Sequence, residues 1–107
     1  MLLVYIAGPY RADTPHEIHA NIERARRYAA SVWRKDGWAA LCPHMNTAHM
    51  DGVCSPERFL EGTMEMMRRC DAVLMMPGWE HSEGARAEKA EAGRLCIPVL
   101  EVRYDLP

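Results

Sequence analysis

Asp71-Ala-Val-Leu-Met-Met-Pro-Gly-Trp-Glu-His-Ser82-Glu-Gly84-Ala-Arg-Ala-Glu88 is the stretch that decides how this chain folds. Asp71 to Met76 is a short apolar run that reads as a buried strand, and Pro77-Gly78 ends it. A loop follows, then a helix from Ser82 to about Arg94 whose first turn carries Ser82 and Gly84. At about 100° per residue, Ala85, Glu88, Ala92 and Leu95 share one stripe, which is expected to face a sheet. Glu88 is then a carboxylate on the inward face, one turn from the helix start. An uncompensated inward carboxylate is costly. Glu88 is therefore either a residue that performs chemistry or a side chain at the edge of the stripe paired with an arginine.

Working outward, Leu2 to Ala7 reads as a first strand running into Gly8-Pro9. Thr14-Pro15-His16-Glu17 has the form of a helix start, with Thr14 as N-cap, Pro15 at the first helical position and Glu17 completing a capping box. Ile18, Ile22, Ala25, Ala29 and Val32 follow as a core-facing stripe, opposite Glu23, Arg24, Arg27 and Arg34. The helix stops near Asp36-Gly37. Trp38 to Cys42 is a second strand, and Pro43 to Cys54 reads as a polar loop. Ser55-Pro56 opens a second helix through about Arg69, with Phe59, Leu60, Met64 and Met67 inward. Ile97 to Val102 completes the pattern as a fourth strand.

Strands alternating with helical segments mean βαβ units and a parallel sheet covered on both faces. Right-handed crossovers favour an α/β, flavodoxin-like three-layer sandwich of four strands, or five, in order 2-1-3-4. In that order the switch point lies between strands 1 and 3, where the loops Gly8 to Asp13 and Pro77 to Gly84 must meet. Ligands of open α/β sheets bind at such a point. Asp71, at the amino end of its strand, lies away from that rim and reads as structural.

The 107 residues suit one domain with one core. Hydrophobic residues at 49% and charged residues at 26% are ordinary globular values. A net charge of −2 argues against binding a nucleic-acid backbone. No apolar run approaches the roughly 20 residues of a membrane span, and Met1-Leu2-Leu3-Val4 lacks the charged start of a signal peptide. A cytoplasmic location without membrane contact is the expectation. Cys42, Cys54, Cys70 and Cys96 have no disulfide-scaffold spacing and read as reduced thiols. Of eight methionines, Met64, Met66, Met67, Met75 and Met76 cluster and are expected to fill the core.

The rim offers several candidate ligand contacts, each with an ordinary structural alternative. Gly8-Pro9-Tyr10-Arg11 lets backbone amides approach an anion and places a guanidinium beside it, or it is simply a turn. No G-x-G-x-x-G or G-K-[ST] motif accompanies it, so no dinucleotide or P-loop site is expected. Ser82-x-Gly84 puts a hydroxyl and free N–H groups at a helix start, or Ser82 is an ordinary N-cap. His44 contacts substrate at the rim, or is a loop histidine. With Cys42, His49 and Cys54 it has ligand types for zinc, but C-x-H-x4-H-x4-C lacks the paired short spacings of structural zinc motifs. No metal and no cofactor are expected. No G-x-S-x-G elbow supports a serine hydrolase. Trp79 reads either as a ring for stacking a base or as a cap on the core.

Tyr5-Ile-Ala-Gly8-Pro-Tyr-Arg11, Cys42-Pro-His44, Cys70-Asp71-Ala-Val and Ser82-x-Gly84-Ala-x-x-Glu88 together resemble the nucleoside 2-deoxyribosyltransferase superfamily. The resemblance covers almost the whole chain, 1–107, as a single domain. It is closest to a short, often phage-associated branch of unknown function whose members carry PGW-x-x-S-x-GA-x-x-E, and the 2′-deoxynucleoside 5′-phosphate N-hydrolases belong to the same superfamily. The resemblance implies a homodimer or larger assembly acting on a small-molecule nucleoside or nucleotide. It also implies cleavage or transfer at an N-glycosidic bond, with a glutamate at the position of Glu88 forming a covalent glycosyl-enzyme. Positions matching Gly8, Ser82 and Gly84 would line the sugar or phosphate pocket. An oxocarbenium-like transition state needs a carboxylate beside the anomeric carbon, as in retaining glycosidases.

The chain departs from that pattern at one place. Many relatives carry an aspartate eight residues before the position of Asp71, and here Thr63 stands there. Threonine has no charge and is no general acid. Glu61 lies about 200° around the helix, so proton delivery falls to no clear residue; Asp13, His44 and Glu80 are candidates. An alternative is thus a module that binds or senses a nucleotide derivative without turnover.

Overall fold

In the computed structural model residues 1–102 are described. The strands β1 (Leu2–Ala7), β2 (Trp38–Leu41), β3 (Ala72–Met75) and β4 (Val99–Glu101) form one parallel sheet in the order β2-β1-β3-β4. This is the four-stranded α/β topology that the alternating pattern predicts. The helices are α1 (Pro15–Trp33), a single turn α2 (Pro43–Asn46), α3 (Pro56–Arg68) and α4 (Glu83–Arg94), with a 3-10 turn at Trp79–His81.

Side-chain alternation along β1 divides the core. Val4 and Ile6 pack with Ala25, Tyr28, Ala29 and Val32 of α1, while Tyr5 and Ala7 pack with Met67, Ala85 and Ala92 of α3 and α4. Both faces of the sheet are therefore covered, as parallel strands require. The buried stripe of α1 is i, i+3, i+4, i+7 from Ala25, so it takes in Tyr28, while Ile18 and Ile22 are only half-buried. Met67, Met75 and Met76 are fully buried.

The helix starts follow their capping chemistry. Thr14 Oγ1 accepts from the Glu17 N–H at 3.2 Å, Ser55 Oγ from the Arg58 N–H at 3.1 Å, and a proline occupies the first turn of each helix. Asp71 is structural as expected: its Oδ2 accepts from the Leu3 N–H at 2.8 Å, and its own N–H donates to the Leu3 carbonyl at 2.8 Å. This clamp sets the register of β3 against β1.

Several expectations need correction. The stretch read as the loop Pro43 to Cys54 begins with α2, one turn too short to show any periodicity. Leu95 does not continue the stripe of α4; it is the C-cap, where the chain turns away, and is 39% exposed. Leu60 is 40% exposed, because only the later turns of α3 reach the sheet. The fourth strand is shorter than read, Val99–Glu101, since Pro98 has no N–H to donate to a ladder. All four cysteines are free. Among the described residues no helix is long and apolar enough to cross a membrane.

Candidate active site

The inward stripe of α4 does carry its carboxylate into the core. Glu88 is 6% exposed, flanked along the helix by buried Ala85 and Ala92. Tyr5, in the middle of β1 and fully buried, donates its phenolic proton to Glu88 Oε2. The partner is a phenol, not an arginine, so the edge-of-stripe ion pair is not what the chain builds. Burial pushes the Glu88 carboxyl up to about 7, and the Tyr5 hydrogen bond pulls it part of the way back. Burial, and then the negative charge of Glu88, raise the Tyr5 phenol well above its ordinary range. The Thr63 hydroxyl of α3, which donates to the Leu60 carbonyl at 3.2 Å, partly offsets that rise.

The two rim loops meet as the strand order requires. The backbone of Gly78 is left-handed at φ 91°, and a Cβ placed there would lie 3.6 Å from Pro9 Cγ. Arg24 reaches across from α1 and donates to the Pro77 carbonyl, tying the turn after β3 to the first helix. Gly8 is a close-approach glycine: a Cβ would sit 2.6 Å from Met76 Sδ and 2.9 Å from Met76 Cβ. The turn reading of Gly8-Pro9 thus has a packing cause.

His44 opens α2 and is 5% exposed. Its Nε2 lies 2.8 Å from the Pro9 carbonyl, so Nε2 carries the proton and donates. Nδ1 is buried with no hydrogen-bond partner. Burial lowers the histidine below its usual range and keeps the ring neutral, while the Pro9 and Gly8 carbonyls oppose that shift. The Tyr10 ring meets His44 edge-on at 5.6 Å. Tyr10 donates to Asp51 Oδ1 at 3.2 Å, and its carbonyl accepts from Asn21 Nδ2 at 3.1 Å. Pro9, Tyr10 and His44 are therefore one packed unit; Arg11 beside them is exposed.

On the α4 side, Ser82 Oγ accepts from the Ala85 N–H at 3.2 Å, an N-cap, and Gly84 sits next to Leu60. Trp79 packs on the core with the Lys89 ammonium 4.8 Å from its ring, which is the core-capping arrangement. Of the three proton-donor candidates, Asp13 and Glu80 are exposed, and His44 is buried and neutral. Among the described residues no three His, Cys, Asp or Glu side chains converge on a point where a metal ion could sit. An open cleft of about 450 Å³ runs along Pro77–Glu80 to Glu101 and Val102. Another, of about 500 Å³, lies between α1 and α2 beside Trp33 and Met45. Neither is lined by Glu88.

Tyr5, Arg24, Asn21, Asp51 and Thr63 join this region without having stood out as ligands of it. Arg24 read as part of the charged outer face of its helix. Tyr5 had a signal: it is a polar-tipped side chain at the centre of an otherwise apolar strand, which calls for a partner.

The fold is similar to that of a 2-deoxyribosyltransferase from the bacterium Bacillus psychrosaccharolyticus, with 17% identity over 92% of this chain and 70% of that one and a TM-score of 0.64. It is also similar to a 2-desoxiribosyltransferase from Leishmania mexicana, with 23% identity over 98% of this chain and 66% of that one and a TM-score of 0.66. The chain thus spans about two thirds of the length of these proteins. No curated protein matches the sequence. Residues 2–101 match the family described as DUF4406, a domain of unknown function, and the chain belongs to that family.

Proposed function

We propose that the chain is a single nucleoside 2-deoxyribosyltransferase-like domain that cleaves or transfers the N-glycosidic bond of a deoxynucleoside, a nucleoside or a nucleoside 5′-monophosphate. The observation that carries this reading is the buried Glu88 held by Tyr5 on the inward face of α4. In the proposed reaction an unprotonated Glu88 oxygen attacks the anomeric carbon as the C–N bond breaks. The bonding electrons leave with the base, which takes up a proton from the medium or from Asp13 or Glu80. A glycosyl-glutamate ester remains, and a second base or a water molecule displaces the carboxylate. The Tyr5 proton holds the attacking group in one orientation and stabilises it again as it departs.

Under this proposal Gly8, Pro9, Tyr10 and Arg11 form one wall of the substrate site. His44 buttresses that wall through Pro9, and Ser82, Gly84 and Trp79 form the other wall. The partner is a small-molecule nucleoside or nucleotide. The protein acts as a homodimer or larger assembly in the cytoplasm, with a second copy covering the side of Glu88 where the lone chain forms no cleft of its own. The 2′-deoxynucleoside 5′-phosphate N-hydrolase outcome corresponds to water as acceptor.

A second reading is a module that binds a nucleotide derivative without turning it over, favoured by Thr63 standing where relatives carry an aspartate. Incubation with deoxynucleosides and their 5′-monophosphates, followed by chromatography for free base, separates the two. Base release that disappears in a folded Glu88→Ala variant supports catalysis. Saturable nucleotide binding without release supports the sensor.

A further inference from the structure

α3 and α4 pack on the same face of the sheet, where Met67, Ala85 and Ala92 meet Tyr5 and Ala7. At their N-terminal ends Leu60 meets Gly84, its Cδ1 lying 3.8 Å from where a Gly84 Cβ would stand. At the far end Arg68 Nε lies 2.7 Å from Glu91 Oε2. These contacts are about two turns apart on each helix, so the helices run side by side in one direction. Glu88 falls between them on α4, and the middle turn of α3, Thr63 to Met67, runs alongside it. Tyr5 closes the carboxylate in from the sheet, and α3 closes it in from the flank. Glu88 is accordingly 6% exposed and lines neither cleft.

The flanking cover is lightly held. α1 buries Ala25, Tyr28, Ala29 and Val32, and α4 buries Ala85, Glu88 and Ala92, but α3 buries Met67 alone. Met67 and the Arg68–Glu91 pair both anchor its last turns. In its first turns Pro56, Glu57 and Arg58 are exposed, Phe59 is half-buried and Leu60 is 40% exposed. Gly62 stands between the two halves, and nothing lies within 4 Å of where its Cβ would be. Packing therefore does not require glycine there, and inside a helix glycine is the weakest former after proline. Across the same point Thr63 Oγ1 donates to the Leu60 carbonyl at 3.2 Å, a back-bond of the kind that bends helices.

We propose that the first half of α3, Pro56 to Glu61, is a gate over Glu88, hinged at Gly62–Thr63 and latched by Leu60 against Gly84. It lifts while Met67 and Arg68 hold the second half in place. On the proposed reading of the site, this opening admits the sugar to the carboxylate from the edge where α4 begins. Lifting exposes Phe59, Leu60 and Met64 and leaves the sheet intact, so it is a smaller and more frequent event than unfolding.

Two measurements on the unliganded full chain test the gate at increasing low urea. Amide hydrogen exchange reads the opening. Carbodiimide coupling of a small amine to Glu88, mapped by peptide mass spectrometry, reads access to the carboxylate. Amides of Leu60 to Glu65 are expected to exchange faster than those of Val73 and Leu74, with a weaker dependence on urea because less surface is exposed. Coupling at Glu88 is expected to share that weak dependence. Gly62→Ala should slow both by about fivefold, and Leu60→Ala, which removes the latch, should speed both. Glu88 coupling that follows Val73 and Leu74 in its urea dependence, that fails below the unfolding transition, or that ignores Gly62→Ala overturns the gate. Neither measurement needs turnover. A gate found without base release removes only the enzymatic reading, and base release with Glu88 coupled no faster than the sheet opens removes only the gate.

Discussion

Tyr5 and Glu88 are 83 positions apart in sequence and joined by a buried hydrogen bond from phenol to carboxylate. β1 supplies the donor and α4, in the connection from β3 to β4, the acceptor, on the sheet face where Tyr5 and Ala7 meet Ala85 and Ala92. The pair sits in an otherwise apolar cluster of Ala7, Met67, Val73, Met75 and Ala85. A fold built only for stability gains nothing by burying this carboxylate.

Replacing Tyr5 by phenylalanine removes the donor and leaves the apolar ring. The Tyr5 hydrogen bond holds Glu88 down against the larger effect of burial. Its loss should raise the carboxyl above about 7 by a further unit or so. Any base release should then decline at neutral pH and recover toward higher pH, which a pH–rate profile of the variant against the parent would show.

Glu88 also makes the fold sensitive to pH, and the sign follows from linkage. Its carboxyl loses its proton near 7 in the folded chain and near the ordinary 4.5 when unfolded. Between those values the folded state binds more protons. Its contribution to stability is complete below about pH 4.5 and is lost as the pH rises to about 7, a change on the order of 3 kcal/mol. In urea titrations Glu88→Gln should flatten that decline and exceed the parent in stability at pH 8. Equal slopes in the two proteins would contradict this.

Gly8→Ala drives a methyl group against the Met76 side chain, close to the Met76 Cβ as well as its flexible sulfur. Overpacking of this kind costs about 1–3 kcal/mol. The variant should unfold at lower urea, and relief should come from Met76→Ala in the same chain, the double variant being more stable than the sum of the two single effects predicts.

Arg24 holds the turn after β3 through the Pro77 carbonyl. Arg24→Ala should leave the sheet intact and loosen that turn. Amide hydrogen exchange is expected to speed up at Gly78 and Trp79, by about tenfold for a loss near 1.4 kcal/mol, while Val73 and Leu74 stay protected. Uniform acceleration would instead mean that Arg24 stabilises the whole domain.

The architecture was legible because its signals are local and repeated: short apolar strand runs, helix starts marked by Thr14-Pro15 and Ser55-Pro56, and a parallel order forced by crossover handedness. The inward direction of Glu88 was legible for the same reason, since Ala85 and Ala92 fix the face of α4. The partner of Glu88 was not. Tyr5 alternates with Val4 and Ile6 in a strand apolar on both faces, so periodicity alone could not say what its hydroxyl meets. Nor could it find α2, a single turn, or show that Arg24 would fold back onto Pro77. Thr63 stood out only as a departure from a pattern, and where it lies depends on how α3 sits over the sheet, which no short-range signal encodes.

Glu88 becomes bonded to sugar in the proposed reaction, and mass spectrometry reads that bond directly. Protein mixed with a deoxynucleoside or its 5′-monophosphate, quenched in acid and digested, should yield the peptide containing Glu88 heavier by one deoxyribosyl or deoxyribosyl phosphate group, and Glu88→Gln should yield none. Base release that persists in Glu88→Gln, or a sugar adduct mapped to any other residue, would contradict it.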